Sequence, residues 1–378
     1  MKFAGLLLAL LVLFSGCAAS PAETVPSTQA PATIPVTEAP TAAPPDPAET
    51  LLASMTTEEK VGQLFLARCP DVNAFEDVEA FHLGGYILFG RDFQDQTPES
   101  LRRILSGYQE AARIPLLIAV DEEGGTVCRV SSRKAFRSEP YPSPRSLYEA
   151  DGLDMVLSME SEKAWLLSTL GINVNMAPVC DVTTNPAAFM YRRSLGQSPE
   201  ITADFVSGTV ERMAKFHVGS VLKHFPGYGN NADTHTGIAT DRRSLAELEK
   251  QDLIPFAAGI RAGCDAILVS HTIVAALDDS LPATLSPTVH DYLRTEMGFD
   301  CVIVTDDLVM GAITEAYGPE EAAVLAVLAG NDLLCSTEYQ TQYQAVLEAV
   351  QSGRITRETL DEAVTRVLKW KQKLDLIG

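Results

Sequence analysis

Eight short apolar runs recur through the chain, and between most of them lies a stretch with helical periodicity. The runs are GQLFLAR (62–68), GGYILFG (84–90), PLLIAVDEE (115–123), INVNMAPVCDV (172–182), GSVLKHF (219–225), DAILVSH (265–271), CVIVTDD (301–307) and DLLCST (332–337). They are nearly continuous in hydrophobic residues and do not alternate, the pattern of parallel strands covered on both faces. The helical stretches include TPESLRRILSGYQEAARI, EITADFVSGTVERMAKF, SLAELEKQDLIPFAAGIRAG, GPEEAAVLAVLAG and ETLDEAVTRVLKWKQKL. Thr56 with Glu59 has capping-box spacing, and Thr97 with Pro98 reads as another helix start. Such alternation fits a closed (β/α)8 TIM-type barrel or a doubly wound open sheet. Chemistry in a barrel comes from the ends of many strands, whereas in an open sheet it gathers at one switch point. Here polar residues follow run three (Asp121, Glu122), four (Asp181), five (Lys223, His224), six (Ser270, His271) and seven (Asp306, Asp307). The expectation is an α/β fold, a (β/α)8 barrel forming a single catalytic domain over 47–378.

Ahead of that domain, Lys2 precedes a short apolar run that ends at Ser15-Gly16-Cys17. A basic start, an apolar stretch too short to span a bilayer and a small-residue site read as an export signal. A Cys directly after Ser-Gly is similar to a bacterial lipobox, so residues 1–17 are expected to be a lipoprotein signal with lipidation at Cys17. A plain secretory signal is the alternative. Residues 18–46 are rich in Ala, Pro and Thr and predict a disordered tether. The expected location is therefore the outer face of a bacterial membrane, reached through a lipid anchor only. The formal charge of −21 argues against nucleic acid as a partner. Of the six cysteines after Cys17, five (128, 180, 264, 301 and 335) lie in or beside apolar runs without metal-type spacing, and buried free thiols are expected.

Several residues stand out chemically. Asp306 ends run seven and faces the predicted barrel mouth as a nucleophile, metal ligand or base, unless it or Asp307 caps the next helix. Asp233 and His235 are two apart in the glycine-rich stretch KHFPGYGNNADTHTG, so a carboxylate can orient an imidazole for acid/base work. Taken alone, the pair reads more readily as a surface loop with a chance turn. One of Lys223 and His224 is expected to point inward. Asp121 and Arg129 flank a Gly-Gly turn, and Arg193 adds a second guanidinium fork. No nucleotide-binding glycine loop is present.

Taken together, MTTEEKVGQLF, GGYILFGR, AVDEEGG, NMAPVCDV, RSLG, KHFPGYG, the Asp233-Thr234-His235 triplet, PATLSPTV, MGFDCVIVTDD and AGNDLL resemble glycoside hydrolase family 3, in its single-domain β-N-acetylglucosaminidase branch. The resemblance covers 51–378. It implies a (β/α)8 barrel, Asp306 as nucleophile and His235 assisted by Asp233 as acid/base. It also implies that Asp121, Arg129, Arg193, Lys223 and His224 bind the sugar. Tyr228, Leu195, Glu122 and Thr126 depart from the residues common at those positions. The implied reaction is retaining, exo-acting hydrolysis of terminal β-linked N-acetylglucosamine, with peptidoglycan fragments as the fitting source. No cofactor or metal and a monomeric state are expected. A β-glucosidase of the same family, a metal-dependent hydrolase using His224, His235, His271 and Asp306, and a non-catalytic sugar-binding lipoprotein are the alternatives.

Overall fold

A computed structural model describes residues 46–229 and 239–378. Cys17, the expected signal segment, residues 18–45 of the predicted tether and the Asp233–His235 pair lie outside the described residues. Eight strands form one parallel sheet: β1 (Phe65–Arg68), β2 (Gly85–Leu88), β3 (Leu117–Val120), β4 (Val174–Asn175), β5 (Gly219–Phe225), β6 (Ala266–Val269), β7 (Val302–Thr305) and β8 (Leu334–Ser336). Each pairs in parallel with its neighbour in sequence from β1 to β7, and β8 pairs with β1. A bridge between Val304 and Leu333, with the Asp332 amide donating to Ile303 at 2.9 Å, brings β7 and β8 together and completes the ring. All eight predicted strands are present, and the barrel expectation holds.

Alternation within the strands builds two cores. Leu66, Ile87, Leu117, Ala119, Val174, Val221, Leu268, Val302 and Val304 point into the barrel, while residues between them pack outward on the helices. The Arg357–Lys373 helix plugs the end opposite the polar strand termini with Val367 and Trp370. Gly219 makes room for that plug: a Cβ there would sit 2.7 Å from the Trp370 indole nitrogen.

Local signals hold at most helix starts. Thr56 accepts from the Glu59 amide and Glu59 returns to the Thr56 amide; Thr97 caps the Pro98–Ala111 helix. Other expectations need correction. Gly62 and Gln63 belong to the Thr57–Gln63 helix, so β1 begins later than the apolar run. SLAELEKQDLIPFAAGIRAG forms two helices, Leu245–Lys250 and Leu253–Arg261. They break where Asp252 turns inward to take Arg243. The long Pro144–Leu170 segment, kinked at Asp151-Gly152, carries buried Glu160 and Lys163, which interrupt its apolar stripe. All six described cysteines are free, with Cys69, Cys180, Cys264 and Cys335 buried and Cys128 and Cys301 half-buried.

Candidate active site

The C-terminal ends of the strands open into a cavity of about 610 Å³. Asp121, Arg129, Arg193, Lys223, His224 and Asp306 all line it, with Phe89 and Met310 among the apolar walls. Six of the eight sequence-predicted catalytic and sugar-binding positions are thus brought together.

The same alternation that fills the barrel aims these groups. On β3, Leu117 and Ala119 face in, and continuing the period brings Asp121 and then Glu123 to the same side. On β7, Val302 and Val304 face in and Asp306 follows. β5 departs from the rule. Its register with β6 shifts between Leu222 and Phe225, where the Lys223–His224 peptide is cis, and both side chains line the cavity. Both residues face the cavity, so the expectation that one of them would is corrected.

Lys223 Nζ donates to Asp121 Oδ1 at 2.6 Å and pairs with Glu123 Oε1 at 2.7 Å. Glu123 also accepts two bonds from Arg193, Nε at 2.9 Å and Nη2 at 2.6 Å. Burial pushes the Glu123 carboxyl up, but Lys223 and Arg193 overcome it and hold the group below its ordinary value. Arg193 Nη2 lies 3.2 Å from His224 Nε2. A guanidinium only donates, so Nε2 accepts and the proton sits on Nδ1, which donates to Asp181 Oδ2 at 2.8 Å. Asp181 also accepts from the Tyr228 amide, and the Tyr228 ring meets His224 edge-on. Arg129 stands 3.9 Å from Asp121 and 5.6 Å over the Phe89 ring.

Asp306 is half-buried, with Oδ1 accepting from the Asp307 amide at 2.9 Å. Burial raises its pKa, yet its surroundings, led by His271 with the Lys223 ammonium and that amide, more than offset the effect and leave the group below its ordinary value. Asp307 does not cap the next helix, Gly311–Tyr317, which starts at Met310 without a side-chain cap, so that expectation is corrected. Instead it accepts from the Val309 amide and from both the amide and hydroxyl of Thr337, tying β7 to the segment after β8.

Two contributors were not singled out from the sequence as site residues: Glu123 and Asp181. Strand alternation from Asp121 was the available signal for Glu123. Glu122, a departure from the family pattern, lies away from the cavity and accepts from the amides of Arg129, Val130 and Ser131, pinning the hairpin that carries Arg129. Tyr228 is buried with its ring edge-on to His224, Leu195 is in the core and Thr126 is exposed. Among the described residues no cluster of three or more His, Cys, Asp or Glu side chains is arranged to hold a metal ion.

Residues 56–370 match the glycosyl hydrolase family 3 N-terminal domain. The chain belongs to this family. A β-hexosaminidase of Stenotrophomonas maltophilia is 33% identical over 287 residues, covering 74% of this chain and 83% of that protein. β-Hexosaminidase A of Pseudoalteromonas piscicida is 31% identical over 79% of this chain, which spans 55% of that enzyme's length. The structure of a family 3 β-N-acetylglucosaminidase from Paenibacillus sp. superposes with a TM-score of 0.80 at 34% identity, over 85% of this chain and 63% of that one. The barrel described above lies within the matched residues.

Proposed function

We propose that this chain is a retaining, exo-acting β-N-acetylglucosaminidase with Asp306 as its nucleophile. The observation that carries the reading is the placing of Asp306, ionised and open to the cavity, beside the array of Asp121, Lys223, Arg193 and His224. The similarity to enzymes named β-hexosaminidase supports N-acetylglucosamine as the sugar.

The sugar's hydroxyls meet fixed donors and acceptors: the Asp121 carboxylate, the Lys223 ammonium and the Arg129 and Arg193 guanidiniums. An Asp306 oxygen attacks the anomeric carbon as the bond to the leaving oxygen breaks, and a proton from His235 neutralises that oxygen. A glycosyl–Asp306 ester results. Water, giving its proton to His235, then displaces Asp306 and releases the sugar with its configuration retained. Positive charge grows on the ring in both transition states, so the carboxylate stabilises them more than it stabilises bound substrate. Asp233 would orient His235. One chain holds the full set, so a monomer suffices and no cofactor enters.

A panel of 4-nitrophenyl β-glycosides, followed by mass spectrometry after a fluorosugar inactivator, tests this. The N-acetylglucosaminide should be cleaved fastest and the label should fall on the peptide containing Asp306. Faster cleavage of the glucoside would favour the β-glucosidase reading, and binding without turnover or label would favour a sugar-binding protein. Substrates bearing peptidoglycan-type sugars extend the panel. A lipid anchor at Cys17 is proposed to hold the enzyme at the outer membrane face. Fatty-acid labelling that persists in Cys17→Ser would overturn it.

A further inference from the structure

His271 follows β6 and is fully buried, yet the proposed reaction gives it no task. Its two ring nitrogens have unlike partners. Nε2 lies 3.0 Å from the main-chain carbonyl oxygen of Asp307. A carbonyl only accepts, so Nε2 carries a proton. Nδ1 lies 2.8 Å from the Thr284 hydroxyl. That hydroxyl has one proton to give, and it stands 2.6 Å from the carbonyl oxygen of Ser270 and 3.1 Å from that of Val269.

With a neutral ring, the Thr284 proton must go to Nδ1, and the 2.6 Å oxygen–oxygen contact with Ser270 is left with no hydrogen in it. With a proton on Nδ1 as well, every short contact is satisfied: Nδ1 donates to Thr284 and Thr284 donates to Ser270. Thr284 itself is rigid. It sits in the buried Ala283–Leu285 turn, its amide donates to Ser270 at 3.1 Å and its carbonyl accepts from Asn331 at 2.8 Å.

We propose that His271 is held as an imidazolium and serves as the positioning residue for Asp306, holding the main chain directly after the nucleophile through the Asp307 carbonyl. The idea rests on Asp306 being the nucleophile. Among the described residues, the titratable groups gathered at this corner are Asp306 and Asp307 after β7, Lys223 and His224 on β5 and Cys335 on β8; the Ala283–Leu285 turn brings none. His271 is the largest of the charged influences that lower the Asp306 pKa. The arrangement also gives PATLSPTV a purpose, since its Thr284 is the acceptor that a doubly protonated ring requires.

Nitrogen-15 spectra of histidine-labelled enzyme test the charge state, with the His271 signals assigned by their loss in His271→Gln. Both ring nitrogens should remain protonated from pH 5 to 8. A neutral ring in that range overturns the proposal. Kinetics test the consequence. In His271→Gln and Thr284→Val the acid limb of kcat/KM should move up by about one pH unit or more, and Thr284→Ser should restore it. A fall in rate with the limb unmoved would make the residue structural only. If Asp306→Asn keeps its activity, the nucleophile assignment fails, while the spectra still report the charge on His271.

Discussion

Arg193 grips both oxygens of Glu123, with Nε at 2.9 Å from Oε2 and Nη2 at 2.6 Å from Oε1. This parallel pair fixes the guanidinium in the cavity wall. Lys223 is tied to the same carboxylate, and Lys163, buried against Glu160, donates to the Glu123 carbonyl at 2.8 Å. The cavity-lining cations are thus held by a buried frame, so less ordering would be left for a bound ligand to supply.

Replacing Glu123 with Gln should therefore damage binding and stability together. Arg193 loses its counter-charge and Lys223 keeps only Asp121, which costs on the order of 3–5 kcal/mol. We expect a lower Tm and a kcat/KM reduced at least tenfold, mostly through KM. The pH dependence has a definite sign. The folded pKa of Glu123 lies below the ordinary 4.5, so its contribution is full above that value and is lost as pH falls below it. Urea titrations at pH 7 and pH 3.5 should show the gap between wild type and variant narrowing at the lower pH.

His235→Ala separates acid catalysis from nucleophilic attack. Glycosides with poor leaving groups need the proton and should slow by roughly a hundred- to ten-thousand-fold, whereas activated aryl glycosides should suffer less. Equal losses across a series of leaving groups would remove His235 from the acid role. Asp306→Asn should abolish turnover on every member of the series.

The strands were legible because each is buried on both faces, and that demand leaves few residue choices. Asp121 and Asp306 were legible for the same reason, as the first polar positions after such runs. The helix carrying Glu160 and Lys163 was not, because a buried ion pair looks polar in sequence and hides the apolar stripe. Glu123 was overlooked beside Glu122, although alternation assigns opposite faces to the two. The inward turn of both Lys223 and His224 depends on a register shift against β6, a tertiary event that no local pattern records.

Both glycines of KHFPGYG answer to fixed packing. Gly227 has φ +119°, and a Cβ there would lie 2.5 Å from Asp252 Oδ1; Gly229 has φ +54° and packs on Arg243. Gly227→Ala should lose stability by about 1–3 kcal/mol through backbone strain, with the clash added. Urea midpoints measure this. Because Gly227 lies just before the segment containing His235, kcat should fall as well.

Lys371 offers a test remote from the pocket. It is fully buried, its ammonium donates to Gln63 Oε1 at 2.6 Å, and burial pushes its pKa down to about 7. Gln63 is held in turn by the carbonyls of His82 and Leu83, so no carboxylate supplies a counter-charge in this chain of bonds. Between pH 7 and the ordinary lysine value of 10.5, the unfolded chain binds a proton that the folded one does not. Stability from this site therefore rises with pH across that window, and below it the folded protein carries the full cost of a buried charge. Lys371→Met should remove the cost, raising stability by on the order of a few kcal/mol at pH 6 and less at pH 9. Thermal unfolding at the two pH values checks this. A variant that is destabilised equally at both would show that the bond to Gln63 outweighs the burial of the charge.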